Sequence, residues 1–152
     1  MGKIKYAGDI EATGGLLRGN GMQFPAVQVP SADPNAFDDY GEGTWTPTPS
    51  GLTVVNGTGG VTYGGTYTKI GRLVFITIVI IPSGTATTAA TAGATYFDGL
   101  PFAVAQIAGG AWSDGNASSL GTEIVALGRL YAPTWSARNV QVYGSGTYVT
   151  AT

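Results

Sequence analysis

The run from Leu73 to Ile81 constrains this chain more than any other stretch, because Thr77 is its only polar residue. Gly71 and Arg72 precede it, and Pro82, Ser83 and Gly84 end it. It is too short for a membrane-spanning helix, which needs roughly 20 residues. A short, β-branched apolar run between glycine and proline breaks reads as a strand. Upstream, Thr66 to Ile70 alternates in the manner of a half-buried strand. In an antiparallel sandwich one face of each sheet meets water, so a strand apolar on both faces needs a second cover. In a chain of 152 residues that cover is expected from neighbouring copies. Leu73, Phe75, Ile76, Ile78 and Ile80 are therefore the expected interface of an oligomer. Left bare, they would invite aggregation.

The rest of the chain suits such a strand. Glycine supplies 25 of 152 residues and charged residues only 11%, against ordinary usages of about 7% and about 25%. Short β-prone segments recur: Leu52 to Asn56, Val61 to Tyr63, Thr85 to Phe97, Phe102 to Ile107, Gly110 to Ser113, Thr122 to Tyr131, Ser136 to Tyr143 and Thr147 to Thr150. Turn signals such as Asn56-Gly57, Ser83-Gly84, Asp98-Gly99 and Asp114-Gly115 separate them. The expected fold is all-β, an antiparallel, jelly-roll-like β-sandwich head over residues 38–152. Gly99-Leu100-Pro101-Phe102 is expected to be the corner where the chain changes sheets. Trp45 is expected to anchor the first head strand in the core.

Residues 1–37 read differently. Ile4, Tyr6, Ile10, Leu16, Leu17, Met22 and Phe24 are apolar but separated by glycines, and prolines follow. They are too sparse for a core and too many for a solvated tail. The segment is expected to be an extended arm that orders on a partner, with an unstructured tail as the other reading.

Charge and chemistry exclude several classes. Lys3, Lys5, Arg18, Lys69, Arg72, Arg129 and Arg138 are scattered and the net charge is −2, so no nucleic-acid footprint exists. No apolar leader follows Met1, and no membrane insertion is expected. Histidine and cysteine are absent, which removes the usual bases, nucleophile triads and zinc ligands. Asp33, Asp38, Asp39 and Glu42 form the acidic cluster, but without the spacing of a calcium loop; no metal and no cofactor are expected. Asp98, Asp114 and Glu123 fall in separate turns or strands and suggest no catalytic pair. Trp112, Tyr131 and Trp135 have two readings, core packing and an exposed platform for a sugar.

Asp38-Asp39-Tyr40, Glu42-Gly43-Thr44-Trp45-Thr46-Pro47-Thr48, Gly65-Thr66-Tyr67-Thr68-Lys69-Ile70-Gly71-Arg72-Leu73-Val74 and Gly99-Leu100-Pro101-Phe102 occur in one order. Together they resemble a β-domain found at the C-terminal end of bacteriophage tail-fibre and tail-associated proteins, over residues 22–107. The resemblance implies a homotrimeric virion appendage and supplies no catalytic residues; with histidine, cysteine and a carboxylate pair all missing, a non-enzymatic protein is expected, made in the bacterial host cytoplasm and carried on the particle surface. With only the arm upstream, a short head fibre or capsid decoration protein fits beside a tail fibre. The alternative is a receptor-binding module for a host cell-surface glycan.

Overall fold

The computed structural model describes residues 40–150 apart from 107 and 117, and only the backbone of 123 and 124. The arm, with its proposed attachment residues Ile4, Tyr6, Ile10, Leu16, Leu17, Met22 and Phe24, lies outside the described residues, as do Asp33, Asp38 and Asp39. Among the described residues the strands in chain order are β1 (Tyr40–Trp45), β2 (Thr48–Ser50), β3 (Thr53–Val55), β4 (Val61–Ile70), β5 (Leu73–Pro82), β6 (Thr87–Ala90) and β7 (Tyr96–Asp98). They continue with β8 (Val104–Gln106), β9 (Ala108–Asp114), β10 (Ser119–Ala126), β11 (Arg129–Tyr131), β12 (Trp135–Arg138) and β13 (Val142–Thr150). All pairings are antiparallel.

The large sheet runs β1-β4-β5-β13-β9-β10-β11-β7-β2, with β8 also on β13, and the small one runs β12-β6-β3. The large sheet curls into a half-barrel. Its two end strands, β1 and β2, are consecutive in the chain and separated only by Thr46-Pro47. The last strand, β13, lies in the middle of the sheet between β5 and β9. Trp135 and Ala90 of the small sheet join the core cluster.

The apolar run alternates strictly. Val74, Ile76, Ile78 and Ile80 are at most 2% exposed, whereas Leu73 and Phe75 are 40% and 43% exposed. Successive side chains of a pleated strand point to opposite faces, so Ile76, Ile78 and Ile80 belong to the chain's own core. The expected interface is corrected to that extent: of its five residues, only Leu73 and Phe75 face outward.

Large and small residues alternate across the inner face. One in-register row reads Trp45, Gly65, Ile78, Gly144, Trp112, Gly121 from β1 to β10. A Cβ at Gly65 would lie 2.3 Å from Trp45 Nε1, and one at Gly144 would lie 2.7 Å from Ile78 and 2.8 Å from Trp112. The glycines are the space the bulky side chains occupy. Trp45 is buried, as expected, and its indole N–H donates to the Thr77 carbonyl at 3.1 Å.

Other expectations are refined by turns. Val61 to Ile70 is one strand, not two. Thr85 to Phe97 is broken into β6 and β7 by the turn at Ala92-Gly93-Ala94, and Thr122 to Tyr131 by the hairpin turn Leu127-Gly128. The Gly99 to Phe102 corner does not change sheets. It crosses the end of the half-barrel from β7 to β8, both in the large sheet. There Leu100 and Phe102 pack against the core, and the Phe102 amide donates to the Tyr148 hydroxyl at 3.2 Å.

Candidate interaction surface

The outward face of β1, β4, β5, β13 and β9 follows from the same registers. Its central row reads Thr44, Thr66, Thr77, Ser145, Ala111, then Thr122 on β10. Thr66 and Thr77 share a hydroxyl hydrogen bond of 2.6 Å. Apolar side chains flank this row of small residues. Ile70, Leu73 and Phe75 stand on one side, Val79 and Tyr143 on the other, and Ile70 and Tyr143 are 38% and 41% exposed. Shallow grooves flank the Thr77–Ser145–Ala111 row, one walled by Phe75 and Thr147 and the other by Val79 and Tyr143. Glu42 is the one charged residue at an outward position on these strands, and its carboxylate accepts from the Tyr40 hydroxyl at 3.0 Å. Sequence reasoning missed Val79 and Tyr143, which the alternation of β5 and its pairing with β13 bring beside Leu73 and Phe75.

The aromatic trio is not one surface. Trp112 and Trp135 are 2% and 3% exposed, with ring centroids 5.7 Å apart inside the core. Of the two readings of the trio, core packing holds for both indoles and the sugar platform is corrected: Trp112 lies beside Gly144, and its ring packs against that of Trp135. Tyr131 stands apart, half-buried beside Tyr96.

The carboxylates considered for catalysis are occupied structurally. Asp98 is ion-paired with Arg129 at 3.1 Å. Asp114 is inaccessible; it accepts from the amides of Asn116 at 3.0 Å and Ser118 at 2.9 Å, and it pairs with Arg138. Of Glu123, only the backbone, paired with Gly110, is described. Among the described residues no cluster of His, Cys, Asp and Glu could hold a metal, and no helix is long and apolar enough to cross a membrane.

Asp114 gives a pH test of its role as a loop clasp. The Ser118 amide above all, with the Asn116 amide and the Arg138 charge, holds its carboxyl below the usual range despite burial. A depressed native pKa contributes stability that is present above the unfolded value, about 3.9, and lost as pH falls through the native one. Asp114→Asn should therefore be less stable at neutral pH. Below about pH 4 its stability should also fall less steeply than the parent's, as read from urea midpoints across that range.

Three residues of the motifs quoted above are explained by the end of the half-barrel. Lys69 is buried, with its ammonium 5.6 Å from the Phe102 ring centroid. Gly71 has a φ of +56°, the left-handed geometry of the turn into β5 that glycine adopts without penalty. Arg72 Nε donates to the Thr150 carbonyl at 2.9 Å, and the Thr150 amide returns a bond to the Arg72 carbonyl at 2.9 Å. Burial pushes the Tyr148 hydroxyl nearby up to about 12, which makes it a hydrogen-bonding group and not a base.

No protein-family model, curated protein or solved structure matches the chain.

Proposed function

We propose that this protein is a non-enzymatic structural component of a bacteriophage particle: a short trimeric fibre or decoration protein, fastened to a capsid or tail protein through residues 1–37. Its head, from residue 38, is a jelly-roll-like sandwich that assembles around a three-fold axis. The observation that carries this reading is the outward face of β4, β5 and β13. It sets Leu73, Phe75, Val79 and Tyr143 around small hydroxyl residues, with Glu42 at its margin. A face so poor in charge is more stable against another uncharged face than against water, and three copies around an axis form a closed assembly. Motif order along the chain supports the virion context. Three arms acting together would hold the appendage with modest affinity each.

The test is a truncation beginning at Pro34. It should stay a folded trimer by circular dichroism and light scattering, and fail to incorporate into particles. If the truncated protein decorates particles at the normal level, attachment lies in the head. A monomer mass for the folded full chain at micromolar concentration would remove the trimer.

A further inference from the structure

Three of the turn dipeptides, Asn56-Gly57, Asp98-Gly99 and Asp114-Gly115, set a carboxamide or carboxyl side chain directly before a glycine. That juxtaposition has a chemistry of its own, because the glycine nitrogen can attack the neighbouring side-chain carbonyl carbon and close a five-membered succinimide. Glycine favours the step, since it has no side chain to obstruct the approach or the backbone rotation it needs. In a folded chain both reacting groups must also be free.

The fold separates the three. Asp114 is clasped by the Asn116 and Ser118 amides and by Arg138, and the Gly115 amide donates to the Gln141 carbonyl at 2.8 Å. Asp98 is held by Arg129 at 3.1 Å, in β7 opposite Thr48. A carboxylate is in any case a poorer target for a nucleophile than a carboxamide. Asn56 differs on each count. It is exposed and lies between β3 and β4, and neither its carboxamide nor the Gly57 amide makes a hydrogen bond among the described residues. By contrast, the Asn139 carboxamide donates to the Gly84 carbonyl at 3.1 Å and to that of Ala86. Asn20-Gly21 lies outside the described residues.

The place of Asn56 gives the reaction a consequence. Its backbone carbonyl accepts from the Gly59 amide at 3.0 Å, with Gly57 at a φ of +55° inside that turn. The turn carries the chain from the small sheet to the large one, and the turn after β5 carries it back. The two crossings are bonded together. The Ser83 amide donates to the Gly60 carbonyl at 2.9 Å, the Gly60 amide to the Ser83 hydroxyl at 3.0 Å and the Thr58 amide to the Thr85 hydroxyl at 2.9 Å.

We infer that Asn56-Gly57 is a site of self-modification, where the chain loses ammonia and passes to aspartyl and isoaspartyl forms, the latter loosening the joint between the crossings. The Gly57 nitrogen gives its proton to solvent and bonds to Asn56 Cγ. The Cγ–Nδ2 bond breaks, and Nδ2 takes a proton from water and leaves as ammonia. Water then opens the ring, and nothing is oxidised or reduced. Cleavage at Cγ leaves aspartate; cleavage at the former backbone carbonyl leaves isoaspartate, whose main chain runs one carbon longer through the side chain. The carbonyl that accepted from Gly59 is then no longer in the main chain. This site is independent of the virion reading.

For the test, the full chain is aged in buffer, folded and, in parallel, unfolded in urea. It is then digested with chymotrypsin, which cuts after Trp45 and Tyr63 and so parts Asn56 from Asn20. Mass spectrometry and labelling by an isoaspartyl methyltransferase read each peptide. In the folded chain the Asn56 peptide should gain the mass difference between carboxamide and carboxyl, take the label, and convert faster in alkaline than in acidic buffer. Positions 98, 114 and 139 should stay unlabelled, and in urea label should appear at 98 and 114. Asn56→Ser should abolish the label at 56 with dichroism unchanged. The isoaspartyl fraction, separated by ion exchange, should unfold at a lower urea midpoint than the parent. No conversion at 56, or conversion to aspartate without isoaspartate, would mean that the Gly57 nitrogen does not attack, and the inference fails. Label at 114 in the folded chain as strong as at 56 would show that hydrogen bonding does not select the site. An unchanged midpoint would remove the loosening of the joint.

Discussion

Ile78→Asp will leave no folded protein, while Phe75→Asp, three residues away on the same strand, will leave a folded chain that no longer assembles. Ile78 is 2% exposed and packs beneath Gly144 and against the Trp45–Trp112 row. Aspartate there forfeits an isoleucine's burial and also buries an unpaired charge. Changes of that kind exceed about 4 kcal/mol, a large part of the 5–15 kcal/mol or so that holds a domain together. Phe75 is 43% exposed on the opposite face, where a carboxylate stays hydrated in the single chain. In an assembly it would be desolvated against apolar neighbours. Circular dichroism and light scattering on both variants separate the two effects. Should Phe75→Asp keep the parent's assembled mass, the outward face of β5 is not where copies meet.

The second large effect is steric. Gly65→Val should cost nearly as much as Trp45→Ala, about 3–5 kcal/mol, because both evict the same indole. Any Cβ at Gly65 meets the Trp45 ring at 2.3 to 2.7 Å. The indole would have to leave its place over β4 and surrender its bond to the Thr77 carbonyl. The two substitutions should then be strongly non-additive. In a Trp45→Ala background the space above residue 65 is vacant, and valine, a good strand residue, should add little further loss. Urea denaturation of the singles and the double variant measures this. An additive double variant would mean that the glycine answers to something other than the tryptophan.

The sequence was legible where local chemistry decides and opaque where register decides. Glycine turns and β-branched runs located the strands, because those residues set backbone geometry within a few positions. The face of each residue in Leu73–Ile81 was not legible. Its outward positions carry Leu73, Phe75 and Val79, as apolar as the inward ones, so the alternation that marks a core face is erased. Trp112 and Trp135 could not be told from surface aromatics for a related reason. Their burial depends on β9 lying beside β13 and β12 beside β6, pairings between segments far apart in the chain. Val79, Tyr143, Tyr96 and Arg129 escaped notice because each matters only through a cross-strand neighbour. The segment 1–37 was legible as different in kind, from its sparse apolar residues and its prolines.

The central place of β13 governs when this molecule can exist. Residues 142–150 pair with β5 on one side and β9 on the other, so the last described strand to be synthesised is the one that unites the two halves of the large sheet. While the chain is being made, the β4–β5 hairpin and the β9–β10–β11 meander can form locally, but each waits with an exposed edge and an uncovered inner face. Folding cannot proceed from one edge of the sheet to the other as the chain emerges, and closure requires contacts of long sequence separation, which form slowly. The nascent chain is thereby kept from presenting a finished head. The Leu73, Phe75 and Tyr143 face comes into being only with β13 in place, so chains interrupted before it lack the surface through which copies would join. In the oligomer proposed above, the meeting face would be complete only in chains made through β13.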